Sequence, residues 1–293
     1  MDFLIGYEFE FGWEPIEQID KPKKSKNINK IKYFEQFIFM DVKASLKKFL
    51  GVQYKFIEYI TDDPSITFNK NFRNGHFGVE IITKPLKEID SINLLRNILT
   101  WMQKTTNVMT NDTCAFHVNI SCVDRKTNKN LDYFSILHHT PQDEILSQFN
   151  RINNVYCQST YHRRFPLTIN KRRTVPKTFH EWLGHIHKDS MFVTTYEFSN
   201  FKLDGQKKRA KIFFDNKKNS YEMIKTAFLS SLCNVKKNIA VAEKKSPSNK
   251  RYFEFRMIGN SDYEYREQEI FLCIEKFKNA IKKSIVHPIV YFE

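Results

Sequence analysis

Four short stretches of the chain combine an apolar alternation with side chains able to hold a cation or a phosphate. Residues 3–11 set Glu8 and Glu10 between Tyr7, Phe9 and Phe11, and Gly-Val-Glu-Ile-Ile-Thr supplies Glu80. Phe116-His117-Val118-Asn119-Ile120 supplies His117 and Asn119, and Phe253-Glu254-Phe255-Arg256-Met257 supplies Glu254 and Arg256. Such alternation is the pattern of a half-buried strand, in which residues i and i+2 share a face, so each polar pair can look into one site. On any one strand these residues are an ordinary solvent face. Together they are less ordinary, because several carboxylates on one sheet surface repel one another and raise each other's pKa unless a cation neutralises them. Mg²⁺, a hard ion that takes carboxylate oxygens and bridges nucleotide phosphates, suits that role.

Other motifs carry less. His180-Glu181-Trp182-Leu183-Gly184-His185 has the look of a zinc-protease helix, but its histidines are five apart where helical ligands need four. Tyr161-His162-Arg163-Arg164-Phe165 and Lys171-Arg172-Arg173 mix aromatics with bases, as nucleic-acid surfaces do, and a nucleotide would explain them equally. No Gly-x-x-x-x-Gly-Lys loop occurs. The five cysteines are widely spaced without a C-x-x-C pair, as expected of reduced thiols in a cytoplasmic protein.

The elements that must position these residues follow from periodicity. Strands are expected at 3–11, 52–60, 65–69, 77–83 (ending before Pro85), 114–121, 192–203, 209–215 and 251–258. Helices are expected from Tyr33 to Leu50 with Gly51 as the stop, through Ile92, Leu95, Leu99 and Met102, and over 143–160 and 178–188. Two more run from Tyr221 to Ile239 and through Ile270, Ile274, Phe277 and Ile281. Strands in runs, with helices interspersed and no βαβ rhythm, predict an α+β fold with a largely antiparallel sheet. The basic segments near 20–30, 204–209 and 244–250 are expected to be loop insertions in a single domain spanning 1–293.

Composition bounds the partners. The chain has 293 residues, 47 basic and 33 acidic, for a formal charge of +14. That surplus favours polyanionic partners without choosing among nucleic acid, nucleotides and acidic proteins. Aromatics at 15% argue against disorder, and 8 Gly argue against a glycine-cradled nucleotide fold. No stretch approaches a bilayer span and the first residues do not read as a signal peptide, so no membrane role is expected.

The series Glu-x-Glu, Gly-Val-Glu-Ile-Ile-Thr-Lys-Pro, Cys-Ala-Phe-His-Val-Asn and Glu-Phe-Arg, over about residues 4 to 285, resembles the phage- and bacterial-type amidoligases. These are similar to the glutamine synthetase and glutamate–cysteine ligase superfamily. The resemblance implies a curved sheet with helices on its outer face, like a glutamine synthetase catalytic domain. It implies ATP and Mg²⁺ (with Mn²⁺ as a substitute) as cofactors, and a carboxylate and an amine as substrates, carried on an acidic protein or nucleic acid. Glu8, Glu10, Glu80, His117 and Glu254 fall at metal positions, and Arg256 at that of an arginine contacting the transferring phosphate.

Asp63-Pro64-Ser65 resembles the family's Asp-Gly-Ser turn, with proline for glycine, and makes Asp63 a metal or amine-substrate contact. Asn119 replaces the second His of His-Val-His and is a poor metal ligand, though it can bond a carboxylate or phosphate. Asn200 falls at a family asparagine, and Arg163, Arg164 and Arg173 are alternatives for the nucleotide or acyl phosphate. The implied location is the cytoplasm, a host's if the chain is viral. Two rival readings stay open: a ligase-fold protein turned structural, in a virion for example, and a basic nucleic-acid-binding protein whose acidic face is incidental.

Overall fold

The computed structural model describes residues 1–14, 28–68, 77–154, 157–159 and 239–286, with side chains of the first helix described from residue 36. The elements expected over 178–215, and the helix expected from Tyr221 as far as residue 238, lie outside the described residues. Two compact units share the chain. The first comprises Met1–Lys129, Ile145–Arg151 and Val241–Lys278, and the second Asn130–Glu144, Ile152–Ala240 and Asn279–Glu293.

The first unit is built on an open, antiparallel sheet of eight strands. They are β1 (Phe3–Trp13), β2 (Ile57–Asp62), β3 (Phe77–Thr83), β4 (Leu86–Lys87), β5 (Val108–Met109), β6 (Ala115–Cys122), β7 (Val241–Lys245) and β8 (Arg251–Gly259). The order is β2-β3-β1-β6-β8-β7, with the short β4 and β5 also paired to β1. β1 lies at the centre because every odd position from Phe3 to Trp13 is apolar and fully buried. Its even positions include Glu8 and Glu10, on the opposite face.

Helices cover the apolar face. In α2 (Glu88–Lys104) Leu95, Ile98, Leu99, Trp101 and Met102 are buried. Trp101 stacks on Trp13 at 6.0 Å and meets Phe11 edge-on at 5.7 Å. Its indole N–H donates to Ser45 of α1 (Ile28–Leu50), and that of Trp13 donates to Asp41. Both indoles thus bury their rings without orphaning their donors. In α6 (Glu267–Val286), Phe277 stacks on Phe255 of β8 at 4.2 Å. The fold is α+β. Helix α1 stops at Leu50 because Gly51 adopts φ +55°, a left-handed conformation that glycine takes at little cost.

Several boundaries differ from expectation. Residues 51–56 form a 3₁₀ turn with no buried residue, so the apparent alternation there pairs with nothing, and β2 begins at Ile57. Residues 65–68 are not a strand, because side chains satisfy their backbone: Thr67 N–H donates to Thr113 Oγ1 and Thr67 O accepts from Asn111. The helix expected over 143–160 is α5 (Gln142–Gln148), ended by Asn150 at φ +53° with Arg151 N–H donating back to Leu146 O. Residues 28–30, read as loop, open α1. Lys244 and Lys245, also read as loop, belong to β7, leaving 246–250 as the hairpin connection.

The second unit contains α4 (Tyr133–His139), N-capped by Asp132, whose carboxylate accepts from Phe134 N–H. Ile239, expected at the end of a long helix, instead makes a parallel bridge with Gln158. Between β6 and α4 lies the short α3 (Arg125–Asn130), which periodicity did not reveal. No helix of the described residues is long and apolar enough to cross a membrane.

Candidate metal centre

The sheet register brings the candidate residues onto one surface. Glu10 lies opposite Glu80 across β1–β3, Glu8 opposite His117 across β1–β6, and Asn119 opposite Glu254 across β6–β8. Directly paired residues share a face, so three registers assemble a cluster from four strands. An irregularity in β6–β8 between Phe116 and Val118 sets two residues, Arg256 and Met257, against His117. Met257 is buried in the core and Arg256 stays on the cluster side.

His117 is the hub, its side chain only 4% exposed. Its Nδ1 lies 2.7 Å from Glu8 Oε2 and 3.3 Å from Glu254 Oε1, and its Nε2 lies 3.4 Å from Glu10 Oε1. Asn119 Nδ2 donates to the other Glu8 oxygen at 2.7 Å. The second Glu10 oxygen accepts from Ala115 N–H at 2.7 Å, and Tyr263 Oη donates to the Glu10 carbonyl at 3.0 Å. Glu254 is fully buried, with Arg256 Nε 3.2 Å from Oε1 and Lys244 Nζ 2.5 Å from Oε2.

The electrostatics are those of carboxylates held against their own repulsion. Burial pushes the Glu80 carboxyl up from 4.5 to about 8, with the charges of Glu8, Glu10 and Asp63 adding to it and His117 opposing. Glu10 is raised too, by burial and Asp63, against His117, Ala115 N–H and Arg151. For Glu8 burial also pulls upward, but bonds to His117 and Asn119 and the charge of Lys244 outweigh it, holding Glu8 at about 2. Burial would strip His117 of its proton; Glu10 and Glu8 outweigh burial and raise its pKa, with Arg256 opposing. Tyr252 is pushed up to about 12 by burial and the charges of Glu254, Glu8 and Glu58.

Among the described residues, two sets of side chains have ligand atoms within 4.8 Å of one another: Glu8, His117 and Glu254, and Glu10, Glu80 and His117. Four carboxylates of mostly oxygen donors fit a hard divalent ion better than a soft one. Such an ion would offset the burial and the repulsion that together raise Glu80.

Asp63 belongs to neither set. Its Oδ1 accepts from Ser65 N–H at 2.8 Å and Ser65 Oγ at 2.7 Å, so the Asp-Pro-Ser turn closes on itself despite proline in place of glycine. Gly78 makes room for that turn: a Cβ there would lie 2.2 Å from Asp63 O. Asn200, Arg163, Arg164 and Arg173 lie outside the described residues.

The family model described as "Putative amidoligase enzyme" matches residues 18–210, more than half of the chain. The chain belongs to this amidoligase family. The match contains Asp63, Glu80, His117, Asn119, Arg163, Arg164, Arg173 and Asn200, and is narrower than the span of about 4 to 285 suggested by the motifs. Glu8, Glu10, Glu254 and Arg256 fall outside the matched segment, and the sheet register brings them onto one face with Glu80, His117 and Asn119, which lie inside it. No curated protein matches the chain.

Sequence reading missed two residues on this face, Lys244 and Tyr252, which face each other across β7–β8. Lys244 sat unnoticed in what looked like a basic loop. The signal was the apolar pair Val241-Ala242 preceding it.

Proposed function

We propose that this amidoligase joins a carboxylate to an amine at the expense of ATP, with Mg²⁺ as cofactor, in the manner of the glutamine synthetase and glutamate–cysteine ligase superfamily. One observation carries the reading: Glu8, Glu10, Glu80 and Glu254, from three strands, converge around a single buried histidine on the sheet face opposite the helices. Repelling carboxylates of this kind are costly for a fold to maintain without a cation to receive.

Glu8 and Glu254 on one side of His117, and Glu10 and Glu80 on the other, would hold the ions. When bound, the ions would neutralise the nucleotide's phosphate charge as it transfers. A substrate carboxylate oxygen attacks the γ-phosphorus of ATP; the new O–P bond forms as the bond to ADP breaks. Arg256, which lies beside Glu254, would contact the transferring group. The amine then attacks the acyl carbon and phosphate leaves. The proton lost by the amine passes to a carboxylate, for which Asp63 is the candidate at the Glu10–Glu80 end. Asn119 fixes Glu8 rather than binding an ion. The +14 charge favours a substrate on an acidic macromolecule.

The test is binding followed by trapping. ATP titrated into the full chain should bind only with Mg²⁺ or Mn²⁺, and Glu8→Gln with Glu254→Gln should abolish it. Hydroxylamine offered with acidic peptides should yield hydroxamates if an acyl phosphate forms. Failure of ATP to bind in the presence of either ion would sink the proposal. Ion-dependent binding with no turnover of any carboxylate would favour a ligase fold retained for a structural role.

A further inference from the structure

At the β7–β8 edge two cationic side chains and a histidine converge on one buried carboxylate. Glu254, with a side chain 1% exposed, is approached on one oxygen by Lys244 Nζ at 2.5 Å. On the other it meets Arg256 Nε at 3.2 Å and His117 Nδ1 at 3.3 Å.

The hairpin shows why Lys244 is placed there. The connection 246–250 closes through Ser246 N–H to Lys250 O and Lys250 N–H to Ser246 Oγ, which fixes the register of β7 on β8. Ala242 then lies opposite Glu254 and Lys244 opposite Tyr252, so Lys244 points to the same face as Glu254. From its place opposite Tyr252 the lysine reaches diagonally to Glu254, which lies across from the small Ala242. The side chain is 40% exposed, on an edge strand. One end of the lysine is therefore at the cluster and its length is at the rim, a geometry from which it can turn without disturbing the core.

The two ends of the face differ in their cations. Toward β2 and β3 lie Glu10, Glu80 and Asp63, whose charges act on one another. Toward β7 and β8 lie Arg256 and Lys244, both beside Glu254, with the charges of Glu8 and Glu58 also reaching Tyr252. Lys244 also acts electrostatically on Glu8, so it stands close to both carboxylates of the Glu8–His117–Glu254 set.

We propose that Lys244 is an anion-binding residue which, with Arg256, forms a phosphate subsite on the β7–β8 edge, exchanging Glu254 for a phosphate oxygen when Glu254 takes an ion. The inference rests on the metal-site reading above and adds an orientation to it. Phosphates lie over β7 and β8, and the amine side lies toward Asp63. Lysine serves here as a mobile point charge, whereas Arg256, with a side chain 19% exposed, lies deeper beside Glu254.

The test uses the full chain with two probes, Mn²⁺ alone and inorganic tripolyphosphate in the presence of Mg²⁺, both by calorimetry. Lys244→Met, similar in shape and neutral, should weaken tripolyphosphate about tenfold or more, the loss of one charge-assisted contact. The same variant should bind Mn²⁺ as tightly as wild type or more tightly, because a competitor for Glu254 is gone. Lys244→Arg should restore most of the tripolyphosphate affinity, which shows that any loss in Lys244→Met is one of charge. If Lys244→Met binds tripolyphosphate like wild type, or loses Mn²⁺ and tripolyphosphate together, Lys244 merely braces Glu254 and the inference falls. Wild type that binds Mn²⁺ but no tripolyphosphate overturns the inference and leaves the metal centre standing. Wild type that binds no Mn²⁺ overturns both.

Discussion

Replacing Glu80 by Gln should stabilise the protein when no metal is added and remove its response to metal. Glu80 faces Glu10 across β1–β3, and burial with the charges of Glu8, Glu10 and Asp63 lifts its carboxyl from 4.5 to about 8. The sign follows from proton linkage. Between those two values the folded chain holds a proton that the unfolded chain has released, so stability is complete below the lower value and declines as pH rises toward the upper one. A displacement of that size, taken as an isolated group, corresponds to several kcal/mol. Glu80 is half-buried and shares its titration with its neighbours, which reduces the expected gain from Glu80→Gln at pH 9 to about 2 kcal/mol. For a chain of this length that is a rise in Tm of roughly 4–8 °C. At pH 5 the two proteins should melt together. Mn²⁺ at about a hundred times its Kd should stabilise wild type by about 2.7 kcal/mol at pH 9 and the variant far less. Differential scanning calorimetry with and without Mn²⁺ at both pH values decides it. If Glu80→Gln lowers Tm at pH 9 without metal, or gains as much from Mn²⁺ as wild type does, the carboxylates are not held against their own repulsion and the argument from charge fails.

Three further substitutions test the frame around the site. Gly78→Ala would drive a Cβ to 2.2 Å from Asp63 O and 2.8 Å from Ile66 Cβ, and should lower the denaturant midpoint by the equivalent of about 1–3 kcal/mol; an unchanged midpoint contradicts the close approach. Phe277→Ala, which removes the ring stacked on Phe255, should cost roughly 3–5 kcal/mol in urea unfolding, and a loss below ~1 kcal/mol would mean that α6 is not fastened there. Lys278 bonds Glu88 at 2.5 Å and Glu275 at 2.6 Å, and although burial works against it these carboxylates raise its pKa. That contribution is complete below the ordinary lysine value of 10.5 and is lost as pH climbs past it, so wild type should show an alkaline loss of stability that Lys278→Met lacks.

The strands that carry the site were legible because each writes its burial into its sequence. β1 alternates over its whole length, β3 falls on 77–83 as expected, β6 is displaced by one residue at each end and β8 runs one residue longer. Period-2 alternation with aromatics on one face has no helical competitor. Segments whose order comes from side chains were not legible. Nothing in residues 65–68 says that Thr113 and Asn111, more than forty positions away, will satisfy Thr67. Nor does 143–160 announce that Asn150 will take a left-handed turn and end α5. The short β4 and β5 exist only because β1 is long enough to accept extra partners at both ends.

For the site, the residue types were readable and the register was not. Alternation alone puts Glu8 and Glu10 on one face, but whether Glu80 lands opposite Glu10, or two residues along, depends on how β3 slides on β1. A slip of one residue would have sent Glu80 into the core. Phe9, Phe11, Val79 and Ile81, all fully buried, hold Glu80 on the Glu10 face, and the choice between even slips is made by which of them pack opposite each other, Phe9 with Ile81 and Phe11 with Val79. The same apolar face that makes the strands recognisable thereby fixes where the carboxylates meet. Lys244 escaped for the complementary reason: β7 is an edge strand of five residues with two lysines, so its sequence holds too little burial to declare a register. Its place beside Glu254 comes from the β8 hairpin. The metal centre is thus specified by the core behind it, and the proposed phosphate subsite by a hairpin at its margin.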